Sequence, residues 1–73
     1  MSAGEIRAVP ITGDMIRLGQ LLKVAGLAGS GGEAKTLLSE LAVTVNDAPE
    51  GRRGRQLVRG DVVRVGDEAV RVS

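Results

Sequence analysis

The sequence predicts an α+β fold: two short helices packed against a small, mostly antiparallel, twisted sheet. Three observations carry this. Leu18, Leu21, Leu22 and Ala25 recur at i, i+3, i+4 and i+7, and Ala34, Leu37, Leu38 and Leu41 repeat the spacing, so two helices each bear an apolar stripe. From Leu41 the period falls to two, with Leu41, Val43 and Val45 alternating around Thr44 and Val63 and Val65 flanking Arg64. The chain has 73 residues and no cysteine, so it is expected to form one small domain over residues 1–73 without disulfides.

Taken in order, Met1 to Gly4 is small and expected to be loose. Glu5 to Ile11 reads as a strand, placed at a sheet edge because Pro10 cannot donate to a ladder. Thr12-Gly13-Asp14 is turn-like, and the first helix is expected from Ile16 or Arg17 to Ala25. Gly26 should end it in a left-handed cap, with Leu27 packing back on Leu22. Ala28-Gly29 leads to the second helix, where Ser30 and Glu33 have the spacing of a capping box.

That helix runs into the strand ending at Val45, and Asn46-Asp47-Ala48-Pro49 reverses the chain. Gly51 to Arg55 is an exposed loop or edge, and Leu57 and Val58 should return to the interior. Arg59-Gly60-Asp61 turns again, and Gly66-Asp67-Glu68 joins the last two strands in a hairpin closed by Val65 and Val70. Leu22, Leu37, Leu38, Val43, Val45, Val63 and Val65 are expected to share one core.

Composition removes whole classes of function. Histidine, tryptophan, tyrosine and phenylalanine are all absent, and with them the usual general base, the commonest metal ligand and every aromatic stacking platform. No catalytic residue, metal site or cofactor is expected. No apolar run approaches the roughly 20 residues that cross a bilayer, and no leader is evident, so a soluble, cytoplasmic protein with no membrane partner is expected. The net charge is only +1, but Arg52, Arg53, Arg55, Arg59 and Arg64 face a single acid, Asp61, between Gly51 and Arg64. Such arginines are either plain solvated surface or an anion-binding face.

Gly31 and Gly32 fall in the first turn of the second helix, where each costs up to about 1 kcal/mol relative to alanine. One reason for them is functional: bare backbone N–H groups at a helix N-terminus, with Lys35 one turn in, suit a phosphate. The other is that the glycines let the preceding loop pass close, with Glu33 already answering the helix dipole.

Arg17-Leu18, Leu21-Leu22, Ala25-Gly26-Leu27, Ser30, Glu33-Ala34-Lys35, Leu37-Leu38, Val43-Thr44-Val45-Asn46 and Gly60-Asp61-Val62-Val63 together resemble the S-four type RNA-binding domain, the alpha-L motif. The resemblance runs from about Ile16 to Val65. The phrases Leu18-Gly19-Gln20-Leu21-Leu22-Lys23, Ser30-Gly31-Gly32-Glu33-Ala34-Lys35 and Arg52-Arg53-Gly54-Arg55 look most like small stand-alone bacterial proteins carrying this domain and little else. It implies that the helix pair and the following loop hold structured RNA, often ribosomal or transfer RNA, in a monomeric protein that can associate with the ribosome. By carry-over the RNA-facing positions are Arg17, Lys23, Ser30, Gly31, Gly32, Lys35, Arg52, Arg53 and Arg55. The chain departs from the family where Leu41 and Asp47 stand in place of glycines that serve a bend and a turn.

Without aromatics the protein cannot stack splayed bases, so RNA is expected to be met through phosphate, 2′-hydroxyl and shape contacts. Two other functions fit the residues: a small-anion or nucleotide site at Ser30 to Lys35, and an interaction module whose arginines meet an acidic protein.

Overall fold

The computed structural model describes residues 5–73, so the expectation for Met1 to Gly4 lies outside the described residues. The elements are β1 (Ile6–Val9), β2 (Ile16–Arg17), α1 (Leu18–Val24), α2 (Gly31–Ser39), β3 (Val43–Val45), β4 (Ala48–Pro49), β5 (Gln56–Leu57), β6 (Val62–Val65) and β7 (Glu68–Val72). Five strands form one sheet in the order β1-β7-β6-β3-β4, and β2 pairs with β5 separately. Every pairing is antiparallel except β1 with β7. The fold is therefore the expected α+β arrangement.

β1 lies at the sheet edge, as Pro10 required. Ser73 N–H donates to the Val9 carbonyl and Ile11 N–H donates to the Ser73 carbonyl, so the ladder steps over Pro10, whose missing donor costs nothing there. One face of the sheet supplies Val9, Val43, Val45, Val63, Val70 and Val72 to the core, and the helices lay Leu18, Leu21, Leu22, Ala34 and Leu38 on it. Leu37 and Val65 are only partly buried at its margin, against expectation.

Both helices end in the same way. Gly26 (φ +75°) follows α1, Gly26 N–H donates to Lys23 O and Leu27 N–H to Leu22 O, the paired bonds of a Schellman cap. After α2, Leu41 N–H donates to Leu38 O and Ala42 N–H to Leu37 O, with Leu41 itself at φ +54°. Leu41 is thus a left-handed cap residue, 59% exposed, rather than the first residue of a strand. Its apolar side chain happened to continue both periodicities. Asn46 and Asp47 also take positive φ, 52° and 72°, in the two-residue turn between β3 and β4. Both backbone bends associated with glycine in the resemblance are formed here without it.

Three further expectations are corrected. Ile16 and Arg17 do not open the first helix; they pair with Leu57 and Gln56, and α1 starts at Leu18. Val58 does not return inward but is 52% exposed, because it opens a turn in which Asp61 N–H donates to its carbonyl and Asp61 Oδ2 accepts from its N–H. The last hairpin closes on Val65 opposite Glu68, and Val70 pairs with Val63. Among the described residues no helix is long and apolar enough to cross a membrane.

Candidate nucleic-acid interface

The loop between β4 and β5 is fastened across the start of α1. Arg17, the residue before the helix, makes no side-chain cap, and the first amides are taken by the loop: Leu18 N–H donates to Arg55 O at 2.8 Å and Gly19 N–H to Arg53 O at 2.9 Å. Loop carbonyls thus do what a capping side chain does elsewhere. Arg17 Nη1 adds a bond to Gly54 O at 3.3 Å.

This docking opens a groove of about 690 Å³ lined by Arg17, Gly19, Gln20, Lys23, Gly31, Ala34, Arg53 and Gly54. Three of those side chains are cationic and none is acidic. Gly19 and Gly31 bring the first turns of both helices to this groove; the first amides of α1 are taken by loop carbonyls, so the positive end of a helix dipole is contributed by α2. On the far side of Arg53 a second recess, about 350 Å³, is lined by Lys35, Leu38, Ser39, Gly51 and Arg53.

Arg17, Lys23, Gly31 and Arg53 therefore converge on one groove, and Lys35 borders the recess beside it. Ser30 is occupied as the cap of α2, its Oγ accepting from Glu33 N–H at 3.1 Å; the reciprocal bond of a full capping box is not formed among the described residues. The Gly32 carbonyl accepts from Thr36 Oγ1, and Gly32 does not line the groove. A Cβ on Gly31 would meet nothing within 4 Å, and one on Gly32 only Ser30 Oγ at 3.9 Å. Among the described residues no loop passes close to either glycine.

Arg52 and Arg55 stand apart from Arg53. They line a different recess with Gly54 and Gln56, and both are held by Glu50. Glu50 Oε2 accepts from the Arg52 N–H and Nε, each at 3.1 Å, and Oε1 accepts from Arg55 Nη1 at 2.7 Å and Arg52 Nη2 at 3.3 Å. The hydrogen bonds from Arg52, then Arg55, hold the Glu50 carboxyl down at about 2 against an ordinary 4.5, with burial pushing the other way. Glu50 in turn raises the Arg52 guanidinium. No such carboxylate lies within ion-pair reach of Arg53 among the described residues.

Glu50, Gly19, Gln20 and Gly54 were not among the candidate residues. Gly19 had a signal, a costly glycine inside a helical stripe. Glu50 had a weaker one, an acid directly before an arginine run. No cluster of acidic or other ligating side chains able to hold a metal occurs among the described residues.

A model of the S4 domain family matches residues 9–73. The chain belongs to the S4 domain family. The matched span is wider than Ile16 to Val65 and adds β7, which lies between β1 and β6 in the sheet. Among S4 relatives, the chain is similar to a protein of Bacillus subtilis (strain 168) named "Probable ribosome maturation protein RlbA", 54% identical over 57 residues that cover 78% of this chain and 80% of that one. The family match spans the helix pair, the β3–β4 hairpin and the arginine loop, on which the groove sits.

Proposed function

We propose that this S4 protein is a non-catalytic RNA-binding module that holds structured RNA, of the ribosomal or transfer class, in the groove between the two helix N-termini and the arginine loop. The observation that carries the reading is that groove itself: Arg17, Lys23 and Arg53 on its walls, the backbone amide of Gly31 at the start of α2, and no acid. Cations without a counter-charge are suited to a polyanion, and the absence of aromatic rings directs recognition to phosphate, 2′-hydroxyl and helical shape. The name of the Bacillus relative, a probable ribosome maturation protein, supports a ribosomal RNA as the partner; in the proposed function a monomer meets it in the cytoplasm.

The groove is an open channel beside a second basic recess, a form that suits a backbone passing through better than a single nucleotide enclosed on all sides. Titration with a folded ribosomal RNA fragment, a free nucleotide and an acidic polypeptide at two salt concentrations tests the proposal. The RNA should bind tightest, with a log-log salt slope of about −0.9 for each duplex phosphate neutralised. Equal or tighter binding of the acidic polypeptide would reject it.

A further inference from the structure

We infer that Glu50 decides which cations of the 52–55 loop the RNA meets: it keeps Arg52 and Arg55 as internal counter-ions and leaves Arg53 as the loop's phosphate ligand. The inference rests on the RNA-binding reading of the groove and makes Glu50 a positioning residue for it.

Glu50 is the buried charged side chain of the described residues, only 7% exposed. Its own N–H donates to Val43 O at 2.9 Å, which ties it to the end of the β3–β4 hairpin before the loop begins. A carboxylate removed from water is costly unless paired, and both of its oxygens are saturated by Arg52 and Arg55. Drawing either guanidinium onto a phosphate would leave that carboxylate with fewer of its hydrogen bonds, and drawing both would strand it. The loop consequently offers less charge than its sequence advertises, because one of its three arginine charges is cancelled within the chain.

The same clamp shapes the loop. With Arg52 and Arg55 both drawn to Glu50, Arg55 N–H donates to Arg52 O at 3.2 Å and the turn between them closes. That turn aims the carbonyls of Arg53 and Arg55 at Gly19 and Leu18 and lays the Arg53 side chain across Gly19, on the groove wall. Three uncompensated arginines in a mobile loop would favour any polyanion. One fixed guanidinium, with two tied back, trades that general attraction for placement.

The test is a salt-series titration of the parent, Glu50→Gln, Arg52→Ala and Arg53→Ala against a folded ribosomal RNA fragment, with heparin as a structureless polyanion. Melting curves and amide exchange at Leu18 and Gly19 are followed alongside. Arg53→Ala should flatten the RNA slope by about 0.9, Arg52→Ala by less than half of that, and Glu50→Gln should steepen it by about 0.9 as a charge is released. Glu50→Gln should also bind heparin several-fold more tightly and exchange the Leu18 and Gly19 amides faster. A folded Glu50→Gln with the parent's slope and heparin affinity overturns the inference alone. So does Arg52→Ala flattening the slope as much as Arg53→Ala, which decides the matter if Glu50→Gln does not fold. A parent that binds RNA without salt dependence overturns the RNA reading and the inference with it.

Discussion

Gly19 and Arg53 share space that only a glycine leaves open: a Cβ on Gly19 would overlap Arg53 Cγ and come within 3.0 Å of Cδ, while its N–H donates to the Arg53 carbonyl at 2.9 Å. The stem of the arginine lies flat on the helix, and its backbone caps the same turn. This explains a glycine inside α1, where helix propensity opposes it.

Gly19→Ala is therefore a test of placement separated from charge. The alanine gains up to about 1 kcal/mol of helix propensity, which offsets part of the cost of pushing Arg53 to another rotamer. The variant should melt close to the parent yet bind structured RNA with a salt slope shallower by up to about 0.9, as though Arg53 were gone. Parental RNA binding would show that the contact with Gly19 does not matter to the guanidinium.

Leu41 holds a left-handed conformation that costs a residue with a Cβ about 1–2 kcal/mol and costs glycine almost nothing. Its side chain is 59% exposed, so little burial is lost by removing it. Leu41→Gly should stabilise the protein by about 1 kcal/mol in denaturant melts, and Leu41→Val, β-branched at the same φ, should destabilise it. A lower midpoint for the glycine variant would mean that the leucine packs on Gly51, its neighbour, more strongly than the strain opposes.

These two residues also mark where sequence reasoning reached and where it stopped. Period 3.6 located both helices and period two located β3 and β6, because those patterns are local. Leu41 satisfied both periods and so could not reveal that the backbone reverses hand there. The Ile16–Leu57 ladder was invisible for another reason: it joins two-residue segments far apart in the chain, which carry no period of their own. In the site, charge clustering singled out the loop arginines and the family resemblance added Arg17 and Lys23, but neither showed that Arg52 and Arg55 are paired with Glu50. Their partner is buried only because the β3–β4 hairpin carries Glu50 under the loop, a tertiary fact that adjacency in the sequence does not encode.

The Glu50 clamp has a definite pH signature. Its carboxyl is held at about 2 in the folded protein against an ordinary 4.5, so the unfolded chain binds a proton more readily. Stability from the pairing is then fully present above about pH 4.5 and is lost as pH falls towards 2. The Arg52 side chain is 76% exposed, so salt should screen part of the effect. Melting temperature against pH should fall across that window in the parent, and the gap between parent and Glu50→Gln should close across the same window. A gap that does not change with pH would mean that the glutamine differs from the glutamate by packing and not by charge.

Gly31 separates ligand binding from folding most sharply, because the two demand opposite residues there. It is the first residue of α2, Ser30 already caps the helix, and among the described residues a Cβ at Gly31 would meet nothing within 4 Å beyond its own turn. For the fold alone, alanine is the better choice by up to about 1 kcal/mol. For an anion it is the worse one, since the methyl would stand on the wall of the groove with Arg17, Lys23 and Arg53, where the proposed RNA would bring a phosphate to the bare amides of the helix start. Gly31→Ala should raise the melting temperature and lower RNA affinity together. Gly32→Ala, just off the groove, should raise stability in the same way and leave affinity much closer to the parent's. If both alanine variants bind RNA as the parent does, the helix start is not where the backbone is held, and the cations act on the RNA without it.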